Sequence, residues 1–380
     1  MDKWAPAPGE GIDWQAISKG PLENLFVSMQ KTPQNPAWHG EGNVLAHTQA
    51  VCEALVRLPA WRSLPDGKRE TLFLSALLHD TGKTVCTRLE EGVWQSPRHG
   101  AVGAGMARSI LWRDFGLCGT QEAMRFRESV CQLIRYHSLP QHISGQTDPE
   151  RKLIQVAALP TAGFSLEMLA MLAEADVRGR ISSDQAEKLE EVGFFFDLAA
   201  ESGCLRAPFV FPDDYSRFAY LSGKNILPGQ PLFNPTWGTV IMLSGLPGTG
   251  KDTYIRQHFA GLPMVSLDDQ RYRLGIKPEG PQGVVITQAR ALAREYLRKK
   301  QVFVWNATNT TPLTRAKQVS LFSAYGAATK IIYLETSWQE MLARNGQRPA
   351  PVPESVISHL LEALIPPNAC EAHSVEWINT

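Results

Sequence analysis

The stretch from Gly245 to Thr253, Gly-Leu-Pro-Gly-Thr-Gly-Lys-Asp-Thr, constrains the fold of this chain more than any other part of its sequence. It directly follows the apolar run from Thr239 to Leu243, which is typical of a buried strand, and a helical pattern comes after it. A turn from a strand through glycines into a helix directs successive backbone N–H groups at one point, where an anion is stabilised. The stretch therefore predicts a phosphate-binding loop, in which Lys251 reaches the β- and γ-phosphates of a nucleotide.

The candidate nucleotide-binding residues are the loop glycines with their neighbours and the first residues of the following helix: Gly245, Pro247, Gly248, Thr249, Gly250, Lys251, Asp252 and Thr253. The pattern GxxxxGK is complete, but Asp252 stands where a Ser or Thr hydroxyl normally meets the magnesium ion. Thr253, one place later, is a possible substitute. A glycine-rich turn and a dinucleotide fingerprint are the alternatives that the pattern leaves open.

Length and charge limit the organisation of the remaining sequence. The chain has 380 residues, so we expect two domains of roughly 150–200 residues each. The formal net charge is zero, but acidic residues outnumber basic ones up to residue 205 and basic residues outnumber acidic ones after it. The C-terminal part is therefore the better candidate for binding a polyanion, although the excess is too small to prove nucleic-acid binding.

The cysteines and the N-terminus predict a cytoplasmic protein. The six cysteines form neither a CxxC pair nor the spacing of a disulfide framework, so reduced thiols are expected. The sequence begins without the apolar core of a signal peptide, and no apolar stretch reaches membrane-spanning length. We therefore expect neither secretion nor a membrane partner.

A histidine next to an acid marks the end of one predicted helix in the N-terminal half. The helical pattern runs over residues 68–79 and ends in His79-Asp80, with Gly82 as the expected helix stop. An adjacent His-Asp pair at a buried helix end offers two metal ligands at one point, and the carboxylate can bridge two ions.

Three more histidines and one more acid are candidates for the same site. A helical pattern over residues 43–58 places His47 beside an apolar face, and His99 and His137 lie at the edges of predicted helices. The predicted helix over residues 166–180 carries Asp176, an acid that needs a partner in so apolar a helix.

With this order of residues, the segment over roughly residues 40–185 resembles the HD metallophosphohydrolase superfamily, whose motif order is His, His-Asp, His, His, Asp. The flanking residues 77–83 and 175–180 are similar to the HD domains appended to tRNA nucleotidyltransferases, which act on 2′,3′-cyclic phosphates and terminal phosphates. The resemblance implies an all-α domain that binds two divalent transition-metal ions, Mn²⁺ or another. The implied ligands are His47, His79, Asp80, His99, His137 and Asp176.

We interpret this set as a two-metal site for phosphoester hydrolysis, because two ions supply both an activated water and neutralised phosphoryl oxygens. The ligands of the first ion would be His47, His79, Asp80 and Asp176, and those of the second His99 and His137 with Asp80 as the bridge. Lys83, assigned to catalysis, and Arg180 would then contact the phosphate. A degenerate HD fold with a structural role is the alternative.

After the phosphate loop, strands alternate with helices. Further strands are predicted at 263–267, 301–305 and 329–334, with a helix over 288–300. Asp268 follows the first of these strands and Asn306 the second. This alternation, with polar residues at the strand ends, predicts an α/β domain with a parallel sheet and a site along its carboxyl edge.

The last helical segment carries Arg344 and Arg348, which suit a lid over a transferring phosphoryl group, although a solvated helix face is the alternative. With the phosphate loop and Asp268-x-x-Arg271, residues 236–365 resemble the 5′-OH polynucleotide kinases of the end-healing type. The resemblance implies that Asp268 deprotonates the 5′-hydroxyl and that Arg271 binds the phosphate on the 3′ side of the acceptor. It also implies that the two lid arginines bind the donor phosphates of ATP, or of another NTP, with Mg²⁺.

The two halves together resemble bacterial fusions of an HD domain to a polynucleotide kinase that act in nucleic-acid end repair. The predicted organisation is an HD-type phosphoesterase domain over 1–205, an ordered connector over 206–235, and an α/β P-loop kinase domain with a helical lid over 236–380. The resemblance implies a bifunctional enzyme: its kinase phosphorylates 5′-OH ends of RNA or DNA, its HD domain removes 2′,3′-cyclic, 2′- or 3′-phosphates, and a ligase acts downstream. Two alternatives stay open: a small-molecule nucleoside or nucleotide kinase fused to an HD nucleotide phosphohydrolase, and a nucleotide-controlled binding protein without turnover.

Overall fold

The computed structural model describes residues 3–158, 163–277, 280–348 and 350–380. The chain divides into two compact units, one formed by Met1–Leu117 with Glu122–Phe209 and the other by Cys118–Gln121 with Val210–Thr380. The first unit is helical and the second contains a parallel sheet. This is the predicted fold class, an all-α domain followed by an α/β domain.

The first unit consists of helices and one short β-hairpin. Its helices are α1 (Trp14–Ile17), α2 (Glu23–Lys31), α3 (Val44–Arg57), α4 (Pro59–Arg62), α5 (Asp66–Leu78), α6 (Lys83–Cys86), α7 (His99–Ser109), α8 (Gln121–Tyr136), α9 (Pro149–Ala157), α10 (Leu166–Arg178) and α11 (Gln185–Glu201). A π-helical turn over Ile110–Asp114 follows α7, and a 3-10 turn over Leu139–His142 follows α8. The hairpin, β1 (Arg88–Glu90) with β2 (Val93–Gln95), was not anticipated from the sequence.

Helices α3, α5 and α10 pack against one another and form the centre of this unit. Their apolar residues recur at helical spacing, and Leu55, Leu72 and Leu169 are fully buried. The helix predicted over residues 43–58 is confirmed as α3, whose N-cap Asn43 accepts a hydrogen bond from the Ala46 backbone N–H. Two of the candidate ligands, His47 and Asp176, lie on α3 and α10, and the His79-Asp80 pair directly follows α5.

The expectation that Gly82 stops a helix is wrong. Helix α5 ends earlier, at Leu78, and Gly82 instead precedes α6. Glycine is needed at this position because a Cβ there would lie 2.1 Å from the backbone oxygen of His99. The absence of a side chain lets the start of α7 approach the end of α5 closely.

The second unit is built on a five-stranded sheet of parallel neighbours with the order β4-β5-β3-β6-β7. Its strands are β3 (Thr239–Ser244), β4 (Met264–Ser266), β5 (Val304–Asn306), β6 (Ala328–Glu335) and β7 (Ser374–Asn379). Its helices are α12 (Asp214–Leu221), α13 (Lys251–His258), α14 (Leu267–Leu274), α15 (Gln282–Arg298), α16 (Pro312–Ala324), α17 (Trp338–Gly346) and α18 (Glu354–Ala363).

The sheet is buried on both faces, as an all-parallel sheet requires. Along β3, Val240 and Met242 belong to one apolar cluster, and Ile241 and Leu243 belong to a second. The alternation along a single strand separates the two cores. It explains why the strand reads as a continuous apolar run in the sequence.

Several predicted boundaries in the second unit need correction. Strands β4 and β5 are shorter than predicted and α15 begins six residues earlier. Helix α17 carries Arg344 but ends at Gly346, so Arg348 lies beyond the helix instead of on its face. The edge strand β7, with polar Ser374 and Glu376 along it, was not anticipated.

The stretch interpreted as a connector, residues 206–235, contains α12, whose N-cap Asp213 accepts a hydrogen bond from the Ser216 backbone N–H. None of the helices in the described parts of the chain combines the length and the apolar character that crossing a membrane requires.

Candidate functional site

The six predicted metal ligands lie in one buried cluster of the first unit. His47 comes from α3, the His79-Asp80 pair follows α5, and Asp176 comes from the last turn of α10. The remaining two, His99 and His137, lie at the start of α7 and directly after α8. Five of the six are at most 2% exposed, and His99 is partly exposed.

Asp80 is the centre of this cluster. Its Oδ2 lies 3.3 Å from Nε2 of His79 and 3.6 Å from Nε2 of His47. Its Oδ1 lies 3.4 Å from Nε2 of His99 and 3.9 Å from Nε2 of His137. The two carboxylate oxygens therefore face two different pairs of imidazoles.

Hydrogen bonds to backbone oxygens determine the tautomers of three of these histidines. Nδ1 of His79, His99 and His137 lies 2.7–2.8 Å from a backbone oxygen, that of Ala76, Ser96 or Ile134 in turn. A carbonyl oxygen can only accept, so Nδ1 carries the proton and Nε2 of each neutral ring presents a lone pair. The lone pairs converge on Asp80.

His99 and His137 give the strongest indication that this donor set is suited to a cation. Their Nε2 atoms are 3.1 Å apart. In the tautomers just described both atoms are acceptors, and two lone pairs at this distance repel each other unless a positive charge lies near both. Buried Nε2 of His79 also lacks a hydrogen-bond partner within the residues that the structure describes.

The donor atoms fall into two groups with the dimensions of metal sites. One group is His47, His79 and Asp80, the other is Asp80, His99 and His137, and the ligand atoms within each lie within 4.8 Å of one another. Asp80 belongs to both, as a bridging carboxylate would. The residues therefore fit two divalent ions, which when bound would supply an activated water and charge neutralisation for phosphoester hydrolysis.

The protonation states also suit metal binding. Burial opposes ionisation of Asp80 and Asp176, but the neighbouring positive groups outweigh it and hold the pKa of both carboxyls well below the usual value. Burial lowers the pKa of His99, and it lowers the pKa of His137 to about 3. Burial opposes protonation of His79, but the neighbouring Asp80 outweighs it and raises the pKa of this histidine, so an ion that binds there displaces a proton. Ionised carboxylates beside neutral His99 and His137 are the forms that bind a metal.

Two cations border the cluster. Nζ of Lys83 lies 2.7 Å from Oδ2 of Asp80, and Nη2 of Arg180 lies 2.6 Å from Oδ2 of Asp176. Lys83 is only 7% exposed, and its ammonium also donates to Oε1 of Gln34. Both cations are close enough to the candidate ligands to meet an anion that binds there.

Sequence reasoning missed Glu41 and His39. Oε1 of Glu41 lies 2.8 Å from Nδ1 of His47 and 2.8 Å from Nδ1 of His39. A carboxylate on Nδ1 leaves Nε2 of His47 as the ligand atom and holds the ring in place. His39, Glu41 and His47 also form a third close group of ligand atoms. Glu41 precedes α3, where no helical pattern marks it.

The phosphate-loop residues form the predicted turn at the end of β3. Gly245 has φ 147°, and a Cβ there would lie 2.5 Å from the backbone oxygen of Leu334, so only glycine fits. Nζ of Lys251 donates to the backbone oxygens of Gly245 and Leu246 at 2.9 and 2.8 Å, and the hydroxyl of Thr249 donates to Leu246 at 2.9 Å. The ammonium lies over the loop in which a phosphate would bind.

Asp252 and Thr253 occupy the first turn of α13 and are exposed. Asp252 accepts a 2.7 Å hydrogen bond from the side-chain amide of Asn306, at the end of the neighbouring strand β5. The hydroxyl of Thr253 accepts from Arg256 instead. Asp252 is thus the better-placed of the two for a magnesium ion at the sheet edge.

Asp268 lies in the first turn of α14, and its carboxylate contacts the guanidinium of Arg271 one turn later. Nη2 of Arg348 lies 3.5 Å from the same carboxylate. Burial lowers the pKa of Lys251 to about 8, Arg348 acts in the same direction, and Asp252 and Asp268 oppose the change. Lys251, Asp252, Asp268 and Arg348 are therefore close enough to affect one another, and Arg271 joins them through its contact with Asp268.

Arg344, on helix α17, reaches the phosphate loop through Thr380. Its Nη1 donates to the hydroxyl of Thr380 at 3.1 Å, and that hydroxyl is 3.1 Å from the backbone oxygen of Thr249. Nε of Arg344 donates to Glu340 at 2.7 Å. The structure thus brings Arg348 to Asp268 and Arg344 to the loop.

Comparison with known families agrees with this division. Residues 44–159 match the HD domain family, and residues 240–367 match the AAA domain family. A comparison with curated proteins gives no match. The chain therefore combines an HD phosphohydrolase domain with a P-loop kinase-like domain, in that order. HD domains bind divalent metals, and P-loop kinases use an NTP with Mg²⁺.

Proposed function

We propose that this protein is a bifunctional enzyme that repairs nucleic-acid ends. The kinase domain transfers the γ-phosphate of an NTP to a 5′-OH end of RNA or DNA. The HD domain removes 2′,3′-cyclic, 2′- or 3′-phosphates. Together the two reactions leave 5′-phosphate and 3′-OH ends, which a ligase can join.

The observation that carries the kinase proposal is the contact between Asp268 and Arg271 at the carboxyl edge of the sheet. An acid near the loop lysine can accept the proton of an attacking hydroxyl. An arginine one helical turn away is suited to a phosphate on the acceptor itself, because a guanidinium makes paired hydrogen bonds to phosphate oxygens. An acceptor with both a hydroxyl and a neighbouring phosphate is a nucleic-acid end.

In the transfer step, Asp268 takes the proton from the 5′-hydroxyl while the oxygen bonds to the γ-phosphorus and the bond to the β-phosphate oxygen breaks. Lys251 neutralises the β- and γ-phosphates. Arg344 and Arg348 contribute further positive charge around the transferring group.

In the HD domain, the metal ligands and the two bordering cations converge on one anion site. Lys83 and Arg180 would hold the phosphate oxygens of the end, each exchanging a carboxylate contact for the ligand. His99, the partly exposed member of the cluster, lies on the side from which a substrate can enter.

A kinase for a small nucleoside or metabolite is the competing function, and the acceptor distinguishes the two. Wild-type protein is incubated with Mg²⁺ and γ-labelled ATP, and with a 5′-OH oligonucleotide, a nucleoside 3′-phosphate or a free nucleoside. The proposal predicts label on the first two acceptors. A preference for the free nucleoside would contradict it.

A further inference from the structure

A cavity of about 470 Å³ opens beside the candidate metal ligands of the HD domain. Its lining includes the candidate ligands His99 and His137 and the cations Lys83 and Arg180. Cavities that bind small ligands measure about 300–1,000 Å³. The space is therefore sufficient for a ligand that extends beyond the phosphate group itself.

Two tryptophans line the same cavity. Trp38, in the turn before α3, is 53% exposed, and Trp94, on strand β2 of the hairpin, is partly exposed. An indole left in water is an apolar surface without a partner, and the flat face of an indole is suited to a nucleobase. The lining of the cavity thus combines aromatic side chains with charged ones.

Two buried glutamines of the lining, Gln34 and Gln141, each have one end of the amide bonded to the charged cluster. Oε1 of Gln34 accepts from Nζ of Lys83 at 2.7 Å, and Nε2 of Gln141 donates to Oδ2 of Asp176 at 2.7 Å. An ammonium can only donate and a carboxylate can only accept, so neither amide can be turned over.

The other end of each amide lacks a hydrogen-bond partner among the described residues, although Gln34 is 6% and Gln141 only 1% exposed. A buried amide group without a partner is costly, which indicates that a ligand supplies one. Gln34 offers an N–H donor and Gln141 offers a carbonyl acceptor. A phosphate oxygen and a sugar hydroxyl match these two groups.

We propose that this cavity is a nucleoside-phosphate subsite in which the terminal nucleotide of the substrate binds as a unit. The phosphate lies at the candidate metal ligands with one oxygen at the free N–H of Gln34, a sugar hydroxyl faces the free carbonyl oxygen of Gln141, and the base stacks on Trp38 and Trp94. The proposal rests on the hydrolase function proposed above for the HD domain. It specifies that this domain recognises a base, and so binds sugar phosphates without one more weakly.

The test compares adenosine 3′-monophosphate with ribose 3-phosphate, which carries the same phosphate but no base. Full-length wild-type protein with Mn²⁺ should hydrolyse the nucleotide with the lower KM. Trp38→Ala and Trp94→Ala should each raise that KM roughly tenfold, as expected for the loss of one stacked ring. The KM for ribose 3-phosphate, which has no base to stack, should rise far less than the KM for the nucleotide in both variants.

Phenylalanine variants at both positions should recover most of the affinity, because a flat ring remains. Trp14→Ala is the matched control, since Trp14 is also partly exposed but lines a different cavity. Equal KM values of the wild type for the two substrates would overturn the subsite. A nucleotide preference that survives both alanine substitutions would overturn it as well.

Failure of the hydrolase proposal gives a different result, because neither substrate would then be hydrolysed. Calorimetric titration with adenosine 3′-monophosphate would in that case decide the subsite alone. Binding that the wild type shows and both alanine variants lose would support it, and absence of binding to the wild type would overturn it.

Discussion

Asn306 donates a 2.7 Å hydrogen bond from its side-chain amide to Oδ1 of Asp252. In the usual arrangement the residue after the loop lysine carries a hydroxyl that binds magnesium, and an acid stands at a neighbouring strand end. Here the acid is on the helix and the neutral amide is on the strand. A carboxylate is therefore still present at the edge of the phosphate loop, but helix α13 supplies it instead of strand β5.

This exchange predicts the behaviour of single and double substitutions. Asp252→Ser alone should lower kinase activity roughly a hundredfold and raise the Mg²⁺ concentration that the reaction needs, because the carboxylate next to the loop lysine is lost. Adding Asn306→Asp should restore much of the activity. Kinase assays over a range of Mg²⁺ concentrations give the result, and an unchanged Mg²⁺ requirement in Asp252→Ser would exclude this role of Asp252.

A second prediction concerns Glu41, which contacts Nδ1 of His47. Glu41→Gln removes the charge that orients the ring, so the affinity of the HD domain for Mn²⁺ should fall roughly ten- to a hundredfold. Elemental analysis and calorimetric titration with Mn²⁺ measure this without a substrate. Glu53→Gln, in the C-terminal half of α3, is the matched control. Equal Mn²⁺ affinities of the two folded variants would disprove that Glu41 orients His47 for metal binding.

Much of the fold follows from local sequence pattern. The strand before the phosphate loop is predicted from a continuous apolar run and the helices that carry His47 and Asp176 from a period of 3.6 residues, and the structure has them close to the predicted positions. The hairpin that carries Trp94 is short and its strands have few buried residues, so no periodic signal marks it. Strand β7 is defined by pairing with β6, which is distant in sequence.

The candidate sites show the same limit. The phosphate loop, the His79-Asp80 pair and Asp268-x-x-Arg271 can be found because each of these motifs lies within one short stretch of the sequence. Gln34 and Gln141 become candidates only through contacts with residues far along the chain, such as the hydrogen bond from Gln141 to Asp176. Glu41 becomes one through the fold of the loop before α3, which brings it to Nδ1 of His47. No spacing in the sequence encodes such a contact.

A third prediction concerns His373, whose Nδ1 accepts a hydrogen bond from the Thr329 backbone N–H at 3.1 Å. Burial lowers the pKa of His373 to about 4, and Arg217 adds to the effect. The ordinary pKa is 6.5, so as the pH falls from about 6.5 to about 4 the unfolded chain takes up a proton that the folded unit does not. The free energy of unfolding should therefore decrease over this range by up to about 3 kcal/mol.

The variant His373→Asn tests this, because it keeps an acceptor for Thr329 and removes the titrating group. Urea unfolding at several pH values should show a smaller loss of stability in the variant below pH 6.5. Parallel curves for the two proteins would rule out His373 as the source.

A fourth prediction separates the two residues of the acceptor site. Asp268→Ala should reduce phosphorylation of every acceptor by about two to four orders of magnitude, because the general base is lost. Arg271→Ala should impair oligonucleotides and nucleoside 3′-phosphates far more than acceptors that lack this phosphate. Steady-state KM and kcat for each acceptor are compared with those of Arg273→Ala, on the same helix. Equal impairment of Arg271→Ala on all acceptors would favour a small-molecule kinase.

The most direct measurement uses one RNA oligonucleotide with a 5′-OH and a 2′,3′-cyclic phosphate, incubated with ATP, Mg²⁺ and Mn²⁺. The products are followed by mass for the wild type, Lys251→Ala, Asp80→Asn and the control Gln257→Ala. We predict that the wild type and the control process both ends, that Lys251→Ala processes only the 3′ end, and that Asp80→Asn processes only the 5′ end and binds less metal. A wild type that leaves both ends unchanged, or a folded single variant that loses both reactions, would contradict the proposal of two separate end-healing sites.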